Sequence, residues 1–155
     1  MTNTYTHELA AGASRTSGIA AHTLNTLCHF AGAEIDNSVN KDEFLDLDVL
    51  ITLAATPVAG APVNVHILYA IDGTNYEDGI PATNDGTAAA SPAPNANSLV
   101  DSHGVLASSS AQRWTIREVP LLPYKFKIVV YNGTAKSCTS LLTVLAYGRK
   151  LETVG

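Results

Sequence analysis

Residues 62–79 read PVNVHILYAIDGTNYEDG, and this stretch decides the fold class. In an extended chain Val63, Val65, Ile67, Tyr69 and Ile71 share one face, while Asn64, His66, Leu68 and Ala70 share the other. A period of two is the pattern of a strand with one face in a core. Asp72-Gly73 then gives a hairpin signal, because glycine takes positive φ without a Cβ clash. A two-residue turn there puts Tyr69 opposite Tyr76, an aromatic pair of roughly 0.2–1 kcal/mol. Gly79 and Pro81 keep the returning strand short.

Working outward, residues 44–54 (FLDLDVLITLA) place Leu45, Leu47, Val49, Ile51 and Leu53 on one face and Asp46 and Asp48 on a wet one. Residues 112–119 (QRWTIREV) put Trp114 and Ile116 together, opposite Arg113, Thr115 and Arg117, and Pro120 and Pro123 end that strand. Residues 124–131 (YKFKIVVY) align Phe126, Ile128 and Val130, and Asn132-Gly133 suits a type I′ turn towards residues 141–147. A strict two-residue turn there matches poorly, facing Phe126 with Thr139, so a loop extending through residues 136–140 is the alternative. Residues 5–36 are rich in Ala, Thr, Ser and Gly and are read as two or three short strands near 8–15, 18–23 and 34–38.

No window has the spacing of a capped amphipathic helix, so little helix is expected. Residues 80–98 (IPATNDGTAAASPAPNANS) have almost nothing to bury and read as a long exposed loop or interaction arm. Six to eight short antiparallel strands predict an all-β protein, a single antiparallel β-sandwich of jelly-roll or immunoglobulin-like type. The immunoglobulin marker is missing, since Cys28 and Cys138 flank Trp114 too widely. One domain is expected, with residues 1–43 giving an N-terminal arm and first strands and residues 44–155 the main sandwich.

At 155 residues the chain is long enough to bury about 68–70% of its unfolded surface without a disulfide or metal. With 46% hydrophobic but 6% aromatic residues, the core must be aliphatic. Only 15% of residues are charged, against about 25% in an average soluble domain. So sparse a charge suggests a surface partly covered by other subunits. A net charge of −5 without Lys/Arg clusters argues against nucleic-acid binding. The apolar residues 49–63 are broken by Thr52, Thr56, Pro57, Gly60 and Pro62, which argues against a membrane span, and residues 1–12 lack a secretion signal. The two cysteines are therefore expected as free, buried thiols in a chain made in a cytoplasm.

The candidates for chemistry each have a simpler structural reading. Asp42, Glu43, Asp46 and Asp48 are carboxylates of the kind that bind calcium or pair in acid–base catalysis, but they fit a charged outer edge that discourages sheet pairing. Residues 72–79 are rich in oxygen donors yet lack the EF-hand spacing, and turn formation accounts for Asp72, Gly73 and Gly79. His7, His22, His29, His66 and His103 have no metal-ligand spacing. Only His66 lies in a well-defined strand, without a carboxylate placed to orient it as a base. Ser108-Ser109-Ser110 is loop, since no nucleophile elbow surrounds it. Tyr69, Tyr76, Trp114, Tyr124 and Tyr131 are read as core packing ahead of a sugar-stacking platform. Asn132-Gly133-Thr134 matches a glycosylation sequon, relevant only in a secreted chain. No catalytic, cofactor-binding or metal residues are therefore expected.

The segment 45–53, the strand and turn ILYAIDGTNYEDG and the segment QRWTIREVPLLPYKFKIVVYNGT together resemble small β-sandwich virion proteins of tailed bacteriophages, above all capsid decoration or cement proteins. The resemblance spans residues 44–147. It implies a non-enzymatic structural protein, assembled in the host cytoplasm into the virion. Its partners would be the major capsid protein and other copies of itself, with a trimer favoured. DGTNY after a strand is also similar to the start of galactose-binding jelly-roll modules. That leaves a carbohydrate-binding module, or a tail- or fibre-associated structural protein, as the alternative. A convergent aromatic and arginine at one rim would favour sugar binding.

Overall fold

The computed structural model of the chain describes residues 15–77 and 93–149. Among them are nine strands: β1 (Arg15–Leu24), β2 (Cys28–Ala31), β3 (Ile35–Asp36), β4 (Phe44–Leu53), β5 (Pro62–Ala70), β6 (Leu99–Gly104), β7 (Gln112–Pro120), β8 (Lys125–Asn132) and β9 (Cys138–Arg149). The helical elements described are the single turn α1 (Asn37–Asn40) and a 3-10 turn at Ala96–Ser98. Every strand pairing is antiparallel. One sheet runs β1-β9-β4-β7 and the other β2-β8-β5-β6, with β3 also on β8. The protein is an all-β sandwich. Strands before residue 43 are built into both sheets, β1 on β9 and β2 and β3 on β8.

The alternation in the sequence builds the core. Leu45, Leu47, Val49, Ile51 and Leu53 of β4 meet Val63, Val65 and Ile67 of β5 and Phe126, Ile128 and Val130 of β8 in one buried cluster. Leu142, Val144 and Ala146 of β9 complete it. Trp114 and Ile116, which the alternation of β7 puts together on one face, are only half-buried, because β7 is an edge strand among the described residues. Cys28 and Cys138 are free, buried thiols in this cluster. The expected wet face of β5 is not wet. His66, Leu68 and Ala70 are 2%, 1% and 1% exposed, and Leu68 joins Ala31 and Val129 in a second cluster on the far side of that sheet.

Both expected hairpins are corrected. Asp72-Gly73 does turn, with Gly73 at φ 80° and Asp72 Oδ1 accepting from the backbone N–H groups of Thr74 and Asn75 at 2.9 and 2.7 Å. No strand returns within residues 74–77, however, and β5 pairs instead with β6 and β8. Tyr69 therefore faces Phe126, ring centroids 6.1 Å apart, while Tyr76 lies against the second cluster. Asn132-Gly133 does not join β8 to β9 in one sheet either. The chain there crosses between the sheets through residues 133–137, and β9 begins at Cys138, within the 136–140 stretch that the alternative reading gave to a loop. β2 and β6, which had no clear pattern, are additional strands. The expected strand near 8–15 and most of the loop 80–98 lie outside the described residues, which resume at Ala93.

Candidate functional site

Among the described residues, β6 is the edge of one sheet and faces β7, the edge of the other, along one flank of the sandwich. One end of the flank is clasped. Asp101 and His103 of β6 lie opposite the core residues Val65 and Val63 and so point inward. The imidazole of His103 stacks on the Trp114 indole at 4.1 Å with 8° between the planes. Trp114 Nε1–H donates to Asp101 Oδ2 at 3.0 Å. An inward-pointing charge on an edge strand also discourages pairing with a foreign strand.

Beyond the clasp the flank opens into a groove of about 640 Å³. Ile67, Tyr69, Val100, Ile116 and Val119 supply apolar lining, and Leu99 and Leu122, 40% and 47% exposed, add to it. Glu77, Arg117 and Glu118 give it charge. Tyr69 is fixed there: its hydroxyl donates to Pro120 O at 3.4 Å and accepts from Leu122 N–H at 3.3 Å. Burial pushes this phenol above its ordinary range.

A β-bulge shapes the same edge. Leu45 pairs with Val119 and Leu47 with Ile116, so Asp46 alone faces both Arg117 and Glu118. Glu118 takes φ 56°, and its N–H donates to Asp46 Oδ1 at 2.8 Å. The extra residue turns Arg117 and Glu118 both outward and brings Val119 back to the core.

This bulge corrects the reading of the acidic cluster as edge protection, since β4 is an interior strand with β7 on one side and β9 on the other. Asp46 also accepts from Arg149 Nη2 at 2.6 Å, and Arg149 Nη1 lies 3.8 Å from Glu118. Asp48 binds Arg113 through two N–H groups, with Nε at 2.8 Å from Oδ1, and that hydrogen bonding holds its carboxyl below the usual range. The main chain of Asp42 is tied instead to Asn37, whose buried amide bridges it to Leu122 O.

Sequence reasoning missed Ser98 beside His66. Ser98 Oγ lies 3.1 Å from His66 Nδ1, both groups are buried, and Ser98 lines the groove. The pair has the composition of a nucleophile and base, but Ser98 Oγ donates its one proton to Asn95 O at 2.8 Å. Nδ1 must then be the donor to Oγ, which leaves no general base on that side. The contact pins the 3-10 turn to β5. Thirty-two residues separate the two groups, and no local pattern announces them.

The other candidates are dispersed. His29 is buried on β2, His22 lies on β1 paired with Leu142, and His7 is outside the described residues. Ser108 and Ser110 form a small turn before β7. The Tyr76 hydroxyl donates to Glu34 Oε2 at 2.5 Å, under a ring that Lys127 Nζ covers at 4.6 Å. Burial and that bond push the phenol well above its ordinary range. Tyr69 against Phe126, Trp114 on His103 and Tyr76 under Lys127 thus each have a separate setting. The sequon asparagine, Asn132, is fully buried, so a glycan has no access to it. Among the described residues, no group of three His, Cys, Asp or Glu side chains is placed to hold a metal ion. Comparison with protein-family models, curated proteins and solved structures finds no match.

Proposed function

We propose that this chain is a non-enzymatic structural protein of a virion, a decoration or cement protein that binds the assembled capsid and adds contact between neighbouring capsid subunits. One observation carries most of the reading. The side chains that sequence and structure offer as candidate chemistry are used to build the sandwich: Asp46 caps a bulge, Asp48 ties β4 to β7, and Ser98 and His66 pin a turn. Among the described residues, the open flank offers a partner shape and apolar surface, with Leu99 and Leu122 exposed there. The likeness of residues 44–147 to decoration proteins and the sparse surface charge point the same way.

A protein of this kind works by mass action, because whatever binds the lattice but not its free subunits stabilises assembly. Contacts of at least about 1,000 Å² are needed for specific attachment. The test mixes purified protein with undecorated heads and counts bound copies. The expected result is saturation at a stoichiometry set by capsid symmetry, with a raised disruption temperature. Absence of saturable binding would overturn the reading.

A second reading, a carbohydrate-binding module, draws on one feature: Tyr69 and Arg117 line the same groove, an aromatic and an arginine together. Binding to glycans in the absence of heads would support it.

A further inference from the structure

We infer that the stacked His103 and Trp114 form a pH-sensitive latch between the two sheets, which closes more tightly when His103 takes up a proton in mild acid. The inference goes beyond the proposed function and stands whether or not that reading holds.

The latch is made of side chains. β6 and β7 belong to different sheets, so no strand pairing joins them. Among the described residues, the polar and ring contacts between the two strands are the stack, 4.1 Å apart and 8° from parallel, and the Trp114 Nε1–H bond to Asp101 Oδ2. Each strand is paired on one side alone, β6 by β5 and β7 by β4. Edges held in this way open at lower free energy than the interior of a sheet. A change in the strength of the stack is therefore felt directly as a change in how firmly this flank is closed.

The charges around His103 select the direction of the response. Asp101 and His103 are two positions apart on one face of β6, about 6.6 Å along the strand. Opposite them on β5 are Val65 and Val63, both apolar and buried. Trp114 lies opposite Val49 of β4, while Asp46 and Asp48 of that strand are taken up by Arg149 and Arg113. The remaining ionisable groups of β7, Arg117 and Glu118, line the groove beyond the clasp. The connections at this end, residues 54–61 and 105–111, are joined by the Gly60 N–H bond to Val105 O and contain no ionisable side chain. Among the described residues, Asp101 is thus the charged group that faces His103.

A proton on the imidazole adds two attractions that the neutral ring lacks. One is that of a cation over the face of an indole. The other is the attraction of opposite charges between His103 and the Asp101 carboxylate. Asp101, His103 and Trp114 are all half-buried, so salt screens these attractions less than it would at an open surface. Histidine changes charge between pH 5 and 8, which sets the range of the test.

Trp114 is the one tryptophan of the chain, so a single indole Nε1–H signal reports the latch. In the isotope-labelled full chain, the position of that signal and its protection from exchange with water are followed between pH 8 and 5. The expected result is one titration step in position, with protection rising about threefold on the acid side. His103→Gln should hold protection at the alkaline level of the parent chain throughout. His103→Phe should do the same, because it keeps a ring on the indole without a charge. His22, His29 and His66 are intact in both variants, so a rise that persists belongs to another group. Protection that stays flat in the parent, that falls in acid, or that still rises in either variant would overturn the inference. Should one variant lack a folded amide spectrum, the other decides.

Discussion

Asn132 shows how much one side chain can organise. Its Nδ2 donates to Leu24 O, Asn25 O and Lys136 O, and its Oδ1 accepts from Thr134 N–H and Oγ1–H. The residue is thereby the junction of the turn after β1, the end of β8 and the crossing into β9. Asn132→Ala leaves several buried backbone groups unsatisfied, at about 1–3 kcal/mol for each group that water cannot reach. A loss of at least about 2 kcal/mol is expected, readable as a lower urea midpoint. An unchanged midpoint would show that water replaces the amide. The sequence marks Asn132-Gly133 as a turn and stops there, because an Asn-Gly pair reports local backbone preference and carries nothing about which distant carbonyls the amide will meet.

At the scale of elements, β7 holds the most instructive departure. Its alternation is legible as far as Ile116, and the bulge then shifts the phase so that Val119 rather than Glu118 reaches the core. Arg117-Glu118 has no glycine to signal a residue at positive φ, so the pattern alone cannot locate the bulge. The acidic residues of β4 were equally visible, but a carboxylate has the same pattern on an interior strand as on an edge. Glu118 carries the left-handed strain of a side chain at φ 56°, roughly 1–2 kcal/mol for a residue with a Cβ. Glu118→Gly should relieve most of it, and its exposed 3.8 Å contact with Arg149 contributes little in return. The expected gain of about 1 kcal/mol raises the melting temperature by roughly 2–4 °C, while Glu118→Ala gives no such rise. Equal behaviour of the two variants would place the strain elsewhere.

For the whole molecule, the fold class was legible because it rests on period-two alternation in β4, β5, β7 and β8. Strand partnership was not, since it depends on which edges meet after collapse. The acid response is also a property of the whole. Glu34 is held below the usual carboxylate range by the Tyr76 hydroxyl and Lys125, Asp36 by Ser38, Asp48 by Arg113 and Asp72 by the N–H of Asn75. Each binds fewer protons folded than unfolded. Its contribution is therefore complete above the unfolded value near 4 and fades as pH falls through the lower folded value. Stability should hold from pH 7 to about 5 and decline below about 4. These groups are largely exposed, so each share is modest. Asp48→Asn should lose less stability between pH 7 and 3 than the parent chain in urea titrations. Parallel declines would remove Asp48 from the acid response.

The place of β9 between β1 and β4 has a consequence for biosynthesis. The strand made last of the nine fills the middle of its sheet, so β1 and β4 have no common neighbour until residues 138–149 have left the ribosome. At about 5–20 residues per second, the nascent chain spends seconds with β1 unpaired and one side of β4 bare. The opposite sheet has its members by Asn132 and can form first. A chain halted once Asn132 has emerged from the ribosome, but residues 138–149 have not, would therefore have one sheet complete, with its apolar inner face open to chaperones and to neighbouring nascent chains.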